Sequence, residues 1–160
     1  MKEITIPVSF MQADHAGQLT APQQLLLEKA KAAVALAYAP YSKFKVGAAV
    51  LLENGEMVTG SNQENASSPA GLCAERVALS AASSLFPGIA VTALAITAKA
   101  SNNSLNEPVA PCGICRQTIL EYEQRFSKKI EIILQGTTGK IFWIASVKEL
   151  LPLWFSRPAE

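Results

Sequence analysis

Between Thr20 and Ala39, in TAPQQLLLEKAKAAVALAYA, apolar side chains return every three or four residues. Leu26, Ala30, Ala33, Val34 and Ala37 fall on one face, which predicts a helix with one buried side. Thr20 is placed to cap it, Gln23 to complete a capping box, Pro22 to sit in the first turn and Pro40 to end it. The period then changes. FKVGAAVLL and MVTGSN flank Asn54-Gly55, the strongest short hairpin signal available. A loop, QENASSPAGL, precedes an alanine-rich helix from about Cys73 to Leu85. VTALAITA is nearly continuous in apolar residues, as a strand covered on both faces should be. A polar loop through Asn102, Asn103 and Asn106 leads to Pro111 and a helix from about Gly113 to Phe126. IEIIL and IFWIAS, joined by GTTGK, read as two more strands, and VKELLPLWF as one or two helical turns. The order α-β-β-α-β-α-β-β-short α predicts an α/β fold: a three-layer α/β/α sandwich around a mixed sheet of about five strands. Residues 1–19 show little periodicity and are expected to form an arm, packed loosely or against a neighbour, with a single domain over 20–160.

Composition narrows this picture. A chain of 160 residues, 49% hydrophobic and 17% charged, can bury an ordinary single core. Its 14 basic and 13 acidic residues leave a net charge of +1, too little to suggest a surface that neutralises nucleic-acid phosphates. No apolar run approaches the ~20 residues that span a bilayer. The start, MKEITIPVSFMQ, is broken by Glu3, Pro7 and Gln12 and lacks the apolar block of a secretion signal. Three cysteines is an odd count in a domain large enough to fold without disulfides, which points to a reducing cytoplasm. There, thiols more often bind metal or do chemistry than crosslink.

Two of those cysteines, Cys112 and Cys115, stand in PCGICRQ. Alone, a C-x-x-C can be a redox dithiol, half of a structural zinc knot or half of a catalytic metal site. Cys73, in CAERVAL, stands at the expected start of another helix. Two helix N-termini therefore each offer thiols where unpaired N–H groups favour thiolate, and three sulfurs suit zinc. A structural site needs a fourth protein ligand, for which His15, the only histidine, is the candidate. A catalytic site keeps that position open, and Glu75, two residues past Cys73, is placed for general acid–base work beside it. By itself Glu75 could equally serve the helix dipole. Zinc with three thiolates carries one net negative charge, which a cation must offset; Arg76 is the first candidate and Arg116 the second.

Cys-Ala-Glu followed by Pro-Cys-x-x-Cys resembles the zinc nucleoside and nucleobase deaminases. More closely, YSKFKVGAAV, NQENAS, CAERVAL and PCGICRQ, in this order, look like the small three-cysteine cytidine deaminases, over about Leu26 to Phe155. Cys73 as first ligand points to that branch and away from the deoxycytidylate, tRNA and polynucleotide deaminases, which carry His-x-Glu. The resemblance implies a cytidine deaminase-like fold, Zn²⁺ on Cys73, Cys112 and Cys115, and Glu75 as proton shuttle. It implies that Asn62 and Glu64 bind the ribose 3′-hydroxyl, that Phe44 packs on the nucleoside and that Ala74 contacts the substrate. It further implies a homotetramer with sites at subunit junctions, Phe155 of one subunit reaching the pyrimidine in the next. Two apart on an extended segment, Asn62 and Glu64 would face one side, and amide plus carboxylate can read a hydroxyl. Without the resemblance both would be ordinary loop residues, and Phe155, with Trp154, ordinary core. The implied reaction is hydrolytic deamination of cytidine and deoxycytidine to uridine and deoxyuridine, releasing ammonia, as in pyrimidine salvage. Three rival readings stay open. An aminonucleoside-antibiotic deaminase shares Cys-Ala-Glu and the P-C-G-x-C-R-Q pattern, and the cysteines alone would also suit a non-catalytic zinc module or a dithiol oxidoreductase. The chain departs from the family at Ser68, where a tyrosine is common, and in the following PAGL.

Overall fold

The computed structural model describes residues 1–100 and 104–156; Asn102, Asn103 and the last four residues of the chain are outside the described residues. Along the chain come β1 (Met11–Ala13), α1 (Ala21–Ala33), β2 (Phe44–Leu52), β3 (Met57–Ser61) and α2 (Ala74–Leu85). They are followed by β4 (Val91–Ala100), α3 (Gly113–Arg125), β5 (Glu131–Gln135) and β6 (Ile141–Ile144). The strands form one mixed sheet in the order β1-β6-β5-β4-β2-β3, parallel only between β4 and β5.

Among the described residues the sheet has six strands, one more than the five expected from periodicity. The sixth comes from the supposed arm: Met11–Ala13 pairs antiparallel with Ile141–Trp143, far away in sequence. A three-residue strand is too short to display a period, and its partner is non-local, so no pattern announced it. Phe10 packs on Phe142 at a tilt of 48° with ring centroids 4.6 Å apart, and the Ser9 N–H donates to Glu149 Oε2 at 3.1 Å. The end of the arm is thus tied to the sheet, while residues 1–10 stay exposed.

The hairpin forms, by a different turn from the two-residue type that Asn-Gly favours. Gly55 has φ +87°, but Asn54 is not among the residues with positive φ. The Gly55 N–H donates to the Leu52 carbonyl at 2.9 Å, so the link is an ordinary turn closed by a left-handed glycine. α1 loosens into a 3₁₀ turn at Val34–Leu36, before Pro40 is reached, and VKELLPLWF keeps one 3₁₀ turn, Val147–Leu150.

α1 covers one face of the sheet, packing Leu26, Leu27 and Ala30 on Ala49, Ala93, Ala95 and Ile133. α2 and α3 cover the other, where Ala78, Leu79, Ile119 and Leu120 meet Val50, Leu94, Ile96, Ile132 and Leu134. The Tyr122 hydroxyl donates to the Leu79 carbonyl at 3.0 Å and ties α3 to α2. β4 thus presents alanines to α1 and larger side chains to α2 and α3, which explains its unbroken apolar run. Helix α2 lies directly on Gly60: a Cβ there would come within 2.5 Å of the Ala74 carbonyl oxygen. That close approach fixes the first turn of α2 against the end of β3.

Candidate active site

β2 runs opposite to both β3 and β4, so its first residues lie where those two strands end, and α2 and α3 begin near that edge. Cys73 is the N-cap residue of α2 and Cys112 that of α3; Cys115 is in the first turn of α3. The Sγ atoms of Cys73 and Cys112 are 3.9 Å apart, and those of Cys112 and Cys115 3.5 Å. All three ligand atoms lie within 4.8 Å of one another, and among the described residues no imidazole or carboxylate joins the group. His15 caps a 3₁₀ turn in the segment after β1. The closed, four-ligand reading therefore finds no support in the arrangement.

The donor set fits zinc: three sulfurs at two helix N-termini, where backbone N–H groups favour thiolate. The Cys73 thiol is lowered to about 5, first by the Cys115 thiol that hydrogen-bonds to it, then by Arg76 and Cys112, against its burial. Cys115 is pushed up, by giving that hydrogen bond and by burial. Arg76 Nη2 lies 4.0 Å from Cys73 Sγ and 3.0 Å from the Gly71 carbonyl oxygen. Arg116 turns elsewhere, donating to the carbonyls of Pro111 (2.9 Å) and Leu150 (2.6 Å). Of the two arginines, Arg76 is the one at the sulfurs. The unusual SPAG segment gains a role here: Ser68–Ala70 forms a 3₁₀ turn, and Gly71 behind it holds the Arg76 guanidinium.

Glu75, in the first turn of α2, is 4% exposed, and burial raises its pKa. It lines a cleft of about 970 Å³ together with Cys73, Cys112 and Arg76. Phe44, Asn62 and Glu64 line the same cleft. Asn62 also has a structural duty that the sequence did not reveal. Its Oδ1 accepts from the Val46 N–H at 2.8 Å and its Nδ2 donates to the Phe44 carbonyl at 2.9 Å, bracing the start of β2. One N–H and one lone pair of the amide remain for other partners. Glu64 Oε2 accepts from the N–H groups of Tyr41 (2.8 Å) and Ser42 (3.3 Å). Hydrogen bonds, first from the Ser42 side chain, hold its pKa below the usual carboxylate value.

Two of the residues implied by the resemblance are not part of the cleft wall. Ala74 is fully buried at the head of α2. Phe155 is 74% exposed, its carbonyl accepting from Gln117 Nε2 at 3.1 Å, and Trp154 is exposed too, so neither is ordinary core. Tyr41 and Ser42 belong to the YSKFKVGAAV motif, but nothing in the sequence reveals that their N–H groups will clamp the Glu64 carboxylate.

Residues 20–129 match the family model described as "Cytidine and deoxycytidylate deaminase zinc-binding region". The chain is 41% identical over 130 residues to the cytidine deaminase of Halalkalibacterium halodurans, covering 81% of this chain and 91% of that one. This chain belongs to the cytidine deaminase family. A relative from Sporosarcina psychrophila, also a cytidine deaminase, is 39% identical, with 82% of this chain and 90% of that protein covered. The crystal structure of the cytidine deaminase from Burkholderia pseudomallei superposes with a TM-score of 0.71 at 40% identity, covering 82% of this chain and 97% of that one. That from Mycobacterium tuberculosis gives 0.65 at 34% identity, covering 84% and 98%. As a member of the cytidine deaminase family the chain has an α/β fold and a three-cysteine zinc site, Cys73, Cys112 and Cys115.

Proposed function

We propose that the protein hydrolyses the C4 amine of cytidine and deoxycytidine, giving uridine or deoxyuridine and ammonia. One observation carries this reading: a buried carboxylate, Glu75, lines the same cleft as a three-sulfur cluster that no fourth side chain completes among the described residues. Zinc held by those sulfurs supplies the Lewis acidity that lowers the pKa of water from about 15.7 toward ~7.

Glu75 does the proton work. Burial raises its pKa, which suits a carboxyl group that must accept a proton and return it near neutral pH. It takes one proton from the attacking water and delivers it to N3 of the pyrimidine as C4 becomes tetrahedral. It then carries the second to the departing amine, so that ammonia leaves and the C4 carbonyl forms. Arg76 offsets the excess negative charge at the sulfurs. Asn62 and Glu64 receive the ribose 3′-hydroxyl, and their fixed positions on the β2 backbone and the Tyr41–Ser42 N–H groups mean little ordering is needed on binding. Phe44, which lines the cleft, flanks the nucleoside; Ala74, buried behind the cleft wall, would meet the base only through its backbone at the head of α2.

Phe155 lies outside its own cleft, so a role for it in the site requires a second copy, which agrees with a homotetramer whose sites lie at subunit junctions. Three free thiols agree with a reducing cytoplasm, and among the described residues no helix is long and apolar enough to cross a membrane. The test joins metal content to substrate choice. Purified protein should contain one zinc per chain and consume cytidine and deoxycytidine, followed by ultraviolet absorbance, in preference to cytosine-containing aminonucleoside antibiotics. A zinc-loaded protein inert toward both nucleosides would refute the reading. Sedimentation equilibrium tests the tetramer.

A further inference from the structure

On the α1 side of the sheet, the helix stops short of the end of β2. α1 lies against Gly47, and the preceding β2 residue on that face, Lys45, is exposed beyond its cover. Its register partner on β4 is Lys99, so two ammonium side chains stand directly opposite each other on antiparallel strands. That pairing weakens a sheet, and nothing in the packing requires it. Lys31 and Lys43 complete the rim of a concavity of about 480 Å³ that also takes in Val34 and Ala35 at the end of α1. Among the described residues no carboxylate lines it, although Glu64 interacts electrostatically with Lys43 from outside the hollow. Lys31 reaches Glu28 at 3.1 Å, one helical turn back. Four of the ten lysines thus gather in one hollow of a chain whose net charge is only +1, so overall composition does not account for them. Beyond Glu28 at Lys31 and Glu64 near Lys43, the carbonyl end of α1 adds only about half an elementary charge to a hollow that also holds Lys45 and Lys99.

We propose that this concavity binds a polyphosphate anion, such as the triphosphate of a nucleotide, through Lys31, Lys43, Lys45 and Lys99. Lysine contacts phosphate as a point charge, and four of them match a triphosphate better than a single phosphate. The cysteine cluster lies among the helices of the opposite face, so the anion and the nucleoside occupy separate sites.

Calorimetric titration of the zinc-loaded full chain, with inorganic triphosphate, a nucleoside triphosphate and orthophosphate as probes, tests this at about 0.1 M salt, where diffuse attraction is screened beyond about 10 Å. Both triphosphates should bind once per chain, and orthophosphate about tenfold more weakly. Equal binding of the two assigns the site to the phosphate chain; tighter binding of the nucleotide adds its nucleoside to the hollow. The K45A/K99A variant should lose about tenfold in affinity, while K2A/K29A, with the same charge change elsewhere, should stay within about twofold. Melting curves check that both variants fold, and zinc content after titration separates binding from metal removal. No saturable binding, equal losses in the two variants, unchanged affinity in K45A/K99A, or heat explained by zinc removal would each overturn the proposal.

Discussion

Glu75 and Glu123 are buried to the same extent, each 4% exposed, yet their surroundings fit them for opposite tasks. Glu123, on α3, accepts from the Ile130 N–H (3.0 Å), the Val147 N–H (3.2 Å) and the Ser146 hydroxyl (2.8 Å). It pins the start of β5 and the turn after β6 to α3, and both oxygens are engaged. Desolvation raises the pKa of Glu75, against hydrogen bonds to its own backbone and to the Cys115 thiol of α3. A fully satisfied buried carboxylate is a brace; one desolvated beside a cluster of metal-binding thiols suits the proton transfers of the proposed reaction. Burial alone does not separate them. The partners do.

That contrast can be broken most forcefully at Glu75. Glu75→Ala should lower kcat by about 10²–10⁴-fold while retaining zinc and a normal melting curve. Normal turnover, or loss of metal, would remove the distinction. Cys73→Ser should come next, because serine caps a helix well but replaces a preferred sulfur ligand. Zinc content by atomic absorption should fall well below one per chain, activity with it, while the metal-stripped fold stays as stable or gains about 1 kcal/mol. Glu123→Ala should reverse the pattern, costing about 3 kcal/mol in urea unfolding through orphaned N–H groups while surviving folded enzyme keeps its kcat. Gly60→Ala tests the link between fold and site: with the Ala74 carbonyl in the way, α2 must shift, at a cost of about 1–3 kcal/mol and a loss of turnover. The smallest effect belongs to Thr20→Ala. Far from the chemistry, it disturbs the capping box with Gln23 and should cost about 1 kcal/mol without touching kcat or KM.

Residues whose chemistry is local were legible from the chain alone. Cys73 and Cys112 cap helices whose starts the sequence marks, and Glu75 is fixed by its distance from Cys73. The layered fold was legible through periodicity, including the double-sided burial of β4. What escaped depends on distant partners. β1 is defined only by Ile141–Trp143, the bracing duty of Asn62 only by the backbone of Phe44 and Val46, and the brace at Glu123 only by three donors beyond its own helix. A glutamate in EYEQR looks like any solvated helix residue until the chain after β6 folds over it. Arg76 and Arg116 show the same limit: sequence offered both, and only the route of each guanidinium, to Cys73 or to Leu150, separates them.

The bond from Tyr122 to Leu79 ties the two sulfur-bearing helices to each other, and the apolar contacts beneath them hold both to the sheet, by means that involve no ion. Small zinc fingers, whose fold is purchased by the metal, collapse when it is withdrawn. Here a cell starved of zinc would keep a stock of intact but idle molecules, ready to work again once the supply returned, without a new round of synthesis.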